Sequence, residues 1–135
     1  MEKQEIVIDA TDWAVGRLAS YAAKQALLGK SIKIVNCNDA VIVGNPKSIF
    51  EEYHQMASRK STTLRGPFYP KTPERMLKRA VRGMLPYKKG RGRDALKSII
   101  CYNKVPAKYE NVEKMKTERK IRSKTMKLKK LSEII

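Results

Sequence analysis

Apolar and polar positions alternate between two periods along the first half of the chain. Ile6-Val7-Ile8, just ahead of Asp9, is a short continuous apolar run of the kind that forms a buried strand. The period then lengthens. Val15, Leu18, Ala19, Ala22, Ala23, Ala26 and Leu27 fall on one stripe at helical spacing, with Thr11 or Asp12 placed to cap the start and Gly29 to stop the end. Ile32 to Cys37 reads as a second strand and Val41-Ile42-Val43 as a short third one. Strand, crossover helix and strand imply a parallel pair with a right-handed connection. Asn45-Pro46 opens another helix with proline at its first position, turning Ile49, Phe50, Tyr53 and Ala57 inward. Thr72-Pro73-Glu74 supplies a cap, a first-turn proline and an acid at the positive end of the dipole, so a helix is predicted from Pro73 to Leu85. Its apolar face is Met76, Leu77, Ala80, Val81 and Met84, and Ser98 to Tyr102 reads as the last strand. The class is α/β.

The chain's 135 residues suit one core with an appendage, and its 30 Lys and Arg against 13 Asp and Glu give a net charge of +17. The excess is not spread evenly. Residues 1–53 carry six basic and seven acidic residues; residues 54–93 carry twelve basic residues against Glu74 alone. Residues 94–113 balance, and residues 114–130 hold nine basic residues against Glu118. An electrically quiet front third is thus followed by a cationic middle and a cationic tail. Such a body repels itself, and a surrounding polyanion removes that repulsion while releasing counterions. An anionic membrane is the weaker candidate, because it calls for a lipid anchor or an amphipathic helix rich in Trp, Phe and Leu. The chain has one Trp and two Phe. Its N-terminus, Met1-Glu-Lys-Gln-Glu5, is too acidic for a signal or transit peptide, no apolar run approaches membrane length, and the protein is read as cytoplasmic.

Within the cationic middle, Arg75, Lys78, Arg79 and Arg82 recur at i, i+3, i+4 and i+7, so they stack on the helix face opposite the apolar stripe. Like charges at that spacing destabilise a helix by about 0.2–0.5 kcal/mol per pair. No acid is interleaved, which points to a ridge that contacts phosphates. The following Pro86-Tyr-Lys-Lys-Gly-Arg-Gly-Arg93 packs Lys88, Lys89, Arg91 and Arg93 around Gly90 and Gly92, a loop in which glycine lets backbone approach a phosphate. Upstream, Arg59, Lys60, Arg65 and Lys71 accompany Phe68 and Tyr69, either of which can stack on an unpaired base or pack on the core. Lys114 to Lys130 reads as a basic, helical tail carrying Lys116, Arg119, Lys120, Arg122 and Lys124, with Met115, Met126, Leu128 and Leu131 too sparse for a core of their own.

Other chemistry is poorly supplied. Val41-Ile-Val-Gly-Asn-Pro-Lys-Ser48 looks like a strand entering a phosphate loop but lacks the second glycine and the spacing of G-x-x-x-x-G-K-[ST]. Gly16 stands alone after the first strand, so a dinucleotide fingerprint is missing as well. Cys37 and Cys101 sit in apolar runs and read as free buried thiols; with a single histidine, His54, a metal site is not expected. Asp9, Asp12 and Asp39 suit caps and turns better than acid–base work, and no nucleophile, base and orienting group can be nominated.

Val81-Arg-Gly-Met-Leu-Pro86, then Gly92-Arg93, then a strand ending Ile100-Cys-Tyr102, resembles the signature of the large-subunit ribosomal protein thirteen family. Val7-Ile-Asp-Ala10, Gly16-Arg-Leu-Ala19 and Val41-Ile-Val-Gly-Asn45 add to the resemblance, which spans residues 5–109. It implies a three-layer α/β/α domain over residues 1–109 with a four-stranded, largely parallel sheet, followed by a basic helical extension over 110–135. It further implies a structural role in the large ribosomal subunit, with large-subunit ribosomal RNA and neighbouring ribosomal proteins as partners. No enzyme activity, cofactor, small-molecule substrate, membrane or homo-oligomer is implied. The family's basic helix falls on Arg75 to Arg82 and its Gly-Met-Leu-Pro loop on Gly83 to Arg93. Bacterial members have a longer front end and a His-containing run after the last strand. Here the chain continues Asn103-Lys104-Val-Pro106, in the manner of the archaeal and eukaryotic branch. A free RNA- or DNA-binding regulator shares the charge pattern and is the alternative; a nuclease using Asp9, Asp12 or His54 is a remoter one.

Overall fold

The computed structural model describes residues 4–58, 70–117 and 121–134. Strand β1 (Glu5–Asp9) leads through helix α1 (Val15–Leu27) to β2 (Ser31–Val35), and the two strands pair in parallel with Ile6 opposite Ile32 and Ile8 opposite Ile34. After β3 (Val41–Val43), α2 (Pro46–Ser58), α3 (Pro73–Gly83) and α4 (Gly90–Lys97), strand β4 (Ile99–Cys101) joins the other side of β2, also in parallel. The sheet order is β1-β2-β4.

Period-two alternation divides this sheet between two environments. Ile8, Ile32, Ile34 and Ile99 point into the main core, where they meet Leu18, Ala22 and Ala26 of α1, Leu77 and Val81 of α3, and Ala95 of α4. Val7 and Val35 point the other way, onto Tyr109 at the end of a single 3-10 turn (Ala107–Tyr109). The helices' buried residues therefore lie on one face, and a thin cover of Tyr102, Val105 and Tyr109 stands on the other. The expected three-layer arrangement is reduced, among the described residues, to two layers with that cover.

The four-stranded sheet also differs. β3 does not enter it; it pairs antiparallel with β5 (Thr125–Lys127), a strand from the tail, with Ile42 opposite Met126. Three residues are too few to reveal their partner, because register and neighbour are set by tertiary packing. At the far side of β1, Met115 adds a one-residue parallel bridge: the Asp9 N–H donates to the Met115 carbonyl and the Met115 N–H to that of Val7, each at 2.9 Å. Beyond β5, helix α5 (Leu128–Ile134) buries Leu128 and Leu131 in the main core. Of the sparse apolar residues of the tail, Met126, Leu128 and Leu131 thus complete the core of the body, while Met115 stays exposed.

Local signals differ at the helix starts. α1 begins one turn later than expected, with Ala14 at its cap position; neither Thr11 nor Asp12 caps it. Thr11 is held by Asp9, whose carboxylate accepts its hydroxyl at 2.7 Å and its N–H at 3.1 Å, and Asp12 takes a left-handed conformation, φ 57°. α3 does start at Pro73, yet Thr72 makes no side-chain cap. That place is taken by Asn103, whose Oδ1 accepts the Glu74 N–H at 3.2 Å. At the other end, Met84 is 46% exposed and Leu85 is buried in its stead.

Candidate nucleic-acid interface

α3 is fixed by Pro73, Met76, Leu77 and Val81, all buried, so its opposite face is rigidly presented. Arg75 and Arg79 are exposed along that face; Lys78 and Arg82 are half-buried at its edges. Lys78 turns inward, and its ammonium donates to the Ile99 carbonyl on the outer edge of β4. Arg82 lays its guanidinium over the Tyr87 ring, 4.2 Å from the centroid, a cation–π contact that orients it. Between α3 and the β4 edge runs a groove of about 670 Å³ with Lys71, Arg75, Arg79 and Arg82 on its rim and Leu96, Ile100 and Cys101 on its floor.

The segment expected to be a glycine loop is largely a helix. After a turn over residues 84–89, Gly90 to Lys97 form α4, so Arg91 and Arg93 stand in its first turn and Lys89 at its cap. Gly92 is buried, and a Cβ there would lie 2.1 Å from the Pro86 carbonyl oxygen. Its glycine is thus required for close approach to the protein's own backbone. Gly83 and Gly90 are exposed, with nothing within 4 Å of an added Cβ. Lys88, Lys89, Arg91 and Arg93 are all exposed around the α4 start, where the helix dipole adds to their positive field. Two glycines in eight residues oppose a helix; the Pro86 contact and buried Ala95 override that propensity.

The remaining candidates are distributed. Lys116, beside the Met115 bridge, lies beyond the β1 edge, at the opposite side of the sheet from α3. Arg122 and Lys124 are exposed ahead of β5, where the Lys124 carbonyl accepts the Gly44 N–H at 2.8 Å. Arg59, Lys60, Arg65, Phe68, Tyr69, Arg119 and Lys120 fall outside the described residues. Among the described residues the one ion pair joins Lys127 and Asp39 at 3.8 Å, so none of the proposed contact cations forms an ion pair there, although Lys116 lies close enough to Asp9 to help hold its carboxyl down. Tyr87 and Asn103 escaped the sequence reading. The first is legible as an aromatic near Arg82; the second acts across a distance that no local pattern records.

The acid–base candidates are occupied structurally. Asp9 is buried and ties Thr11 and the Asn36 amide to the end of β1; burial opposes its ionisation, but these hydrogen bonds outweigh it and hold its carboxyl below the ordinary range. His54 is exposed and stacks on Phe50 with ring centroids 5.2 Å apart. Cys37 and Cys101 are free thiols; Cys37 donates to the Ile34 carbonyl at 3.8 Å, and the neighbouring Cys101 thiol together with burial pushes the Cys37 thiol up.

Fold and surface together define a small basic α/β protein whose described cations are mounted on a rigid core and, Lys127 with Asp39 apart, form no ion pair with its own carboxylates. Residues 3–108 match the family model described as Ribosomal protein L13, and the chain belongs to that family. It is 45% identical over 112 residues to a protein of Methanococcoides burtonii named large ribosomal subunit protein uL13, covering 83% of this chain and 80% of that one. Proteins of the same name from Methanosarcina barkeri and Methanococcus maripaludis are 48% and 47% identical, over 79% and 75% of this chain and 76% of each relative.

Proposed function

We propose that this chain is a structural constituent of the large ribosomal subunit, in the cytoplasm, where it binds and stabilises folded ribosomal RNA. Residues 1–109 supply the RNA-binding body and residues 110–135 a basic extension whose end, from Thr125 onward, anchors it to that body. The observation that carries the reading is the face of α3: arginines at helical spacing, held by a buried opposite face and, among the described residues, in no ion pair with a carboxylate. Arg75, Arg79, Arg82 and Lys71 contact phosphates along the groove; Lys88, Lys89, Gly90, Arg91 and Arg93 do so around the α4 start, with Gly83 leaving room beside them. Lys116, Arg122 and Lys124, with Arg59, Lys60, Arg65, Arg119 and Lys120, extend the contact. Lys78 contributes field while remaining bound to Ile99, and Gly92 holds the backbone that presents its neighbours. Such contacts read shape more than sequence, through phosphates and 2′-hydroxyls. They serve assembly and translation beside neighbouring ribosomal proteins, as a single copy without catalysis or cofactor.

If about eight phosphates are neutralised, affinity for large-subunit RNA falls with salt at a log–log slope of about −6 to −7. Arg75→Gln, Arg79→Gln and Arg82→Gln together, with Lys78 left to hold β4, should keep the circular dichroism spectrum. The same variant should weaken RNA binding and flatten the slope by roughly 3. An unchanged slope would refute the ridge; failure of the wild-type protein to sediment with large subunits at moderate salt would refute the ribosomal role.

A further inference from the structure

A second groove, of about 690 Å³, lies on the other side of α1 from the core, between that helix and the tail segment around Lys116. Its size is within the about 300–1,000 Å³ of clefts that enclose ligand-sized groups. Trp13 and Tyr21 form one wall, their ring centroids 6.2 Å apart and their planes tilted by 34°. Both rings are half-buried: packed against the main core on one side, they face the groove on the other. Arg17 and Lys24, one helical step to either side of Tyr21, are exposed, as is Lys116 across the gap. Among the described lining residues these three cations face one carboxylate, that of Asp12; Lys116 also lies near enough to Asp9 to help hold its carboxyl down.

We propose that this groove is a binding site for an unpaired nucleotide of single-stranded RNA. Its base stacks on the Trp13–Tyr21 pair and its flanking phosphates lie on Arg17, Lys24 and Lys116. Two features select that occupant. The cations demand an anion, and the two aromatic rings offer an apolar face that only a base free of its own helix can reach. A duplex presents its phosphates but keeps its bases covered. Met115 fixes the far wall through its backbone bonds to Asp9 and Val7, so the groove is built before any ligand arrives. The site is separate from the α3 ridge and shares with the function proposed above only the identity of the polyanion.

Trp13 is the single tryptophan of the chain, so its fluorescence reports on this groove alone. Titration of the full protein with a short oligouridylate at moderate salt should quench that fluorescence. A duplex RNA of equal length should bind with little quenching. Arg17→Gln with Lys24→Gln, both exposed changes, should weaken the quenching titration about 10-fold, and Arg75→Gln with Arg79→Gln and Arg82→Gln should leave its midpoint within about 2-fold. No quenching by the single strand, equal quenching by the duplex, or indifference to Arg17→Gln/Lys24→Gln would each overturn the site. Loss of quenching in the ridge variant alone would do so too, by assigning the signal to the ridge. Failure of subunit sedimentation with quenching intact would instead sink the ribosomal reading and leave the groove standing.

Discussion

Replacing Gly92 by alanine separates two roles for the glycines around α4. A Cβ at position 92 would lie 2.1 Å from the Pro86 carbonyl oxygen, 2.3 Å from its carbon and 2.8 Å from Cγ of the ring. Favourable carbon contacts lie at about 3.5–4.0 Å, so helix and turn must part by roughly 1.5 Å. The turn is not free to do so, because the Pro86 carbonyl also accepts the Lys89 N–H at 3.0 Å and Leu85 is buried just before it. Overpacking of this kind costs about 1–3 kcal/mol, reduced by the ~0.5–1 kcal/mol that alanine gains over glycine in a helix. The difference is a net loss of up to about 2.5 kcal/mol, centred near ~1 kcal/mol, and corresponds to a fall in Tm of up to roughly 10 °C for a domain of this size. Gly90→Ala is the internal control: same helix, same chemical change, nothing within 4 Å of the new carbon. Thermal unfolding followed by circular dichroism should place Gly92→Ala well below wild type and Gly90→Ala at or slightly above it. If Gly92→Ala melts as high as Gly90→Ala, the close approach does not constrain the helix and the reasoning fails.

Leu131, fully buried in the core cluster, tests whether the tail belongs to the body: Leu131→Ala should cost about 2–5 kcal/mol, read from the urea midpoint, whereas a loosely attached tail would lose almost nothing. Asp9 gives a pH signature. Its carboxyl is lowered from 3.8 in the folded state, so its contribution is complete above that value and is lost as pH falls through the depressed one. Asp9→Asn should therefore lower stability at neutral pH and flatten the acid limb of a stability–pH curve; parallel curves for the two proteins would remove Asp9 from the account.

Periodicity made the strands at β1, β2 and β4 and the helices α1 to α3 legible, because each buries one face and repeats its apolar residues accordingly. The charged ridge on α3 was legible for the same reason: like charges stacked without acids are a strictly local pattern. The α4 helix was not. Its propensity is poor, and what stabilises it is a contact between Gly92 and Pro86 that only the folded turn creates. Asn103 at the start of α3 is likewise a cap delivered by a strand end distant in sequence.

By itself, the order of residues determined where this protein is electrically quiet and where it is cationic, and which segments bury a face, since both are sums over near neighbours. Tertiary structure decided which strands meet. β3 accepts a partner from the opposite end of the chain, the tail's Leu128 and Leu131 complete the core, and the cations divide between the β4 edge and the β1 edge. The reason is that pairing partners and the sidedness of loops follow from packing between residues far apart in sequence, where a three-residue strand or a lone leucine carries no local mark of its neighbour.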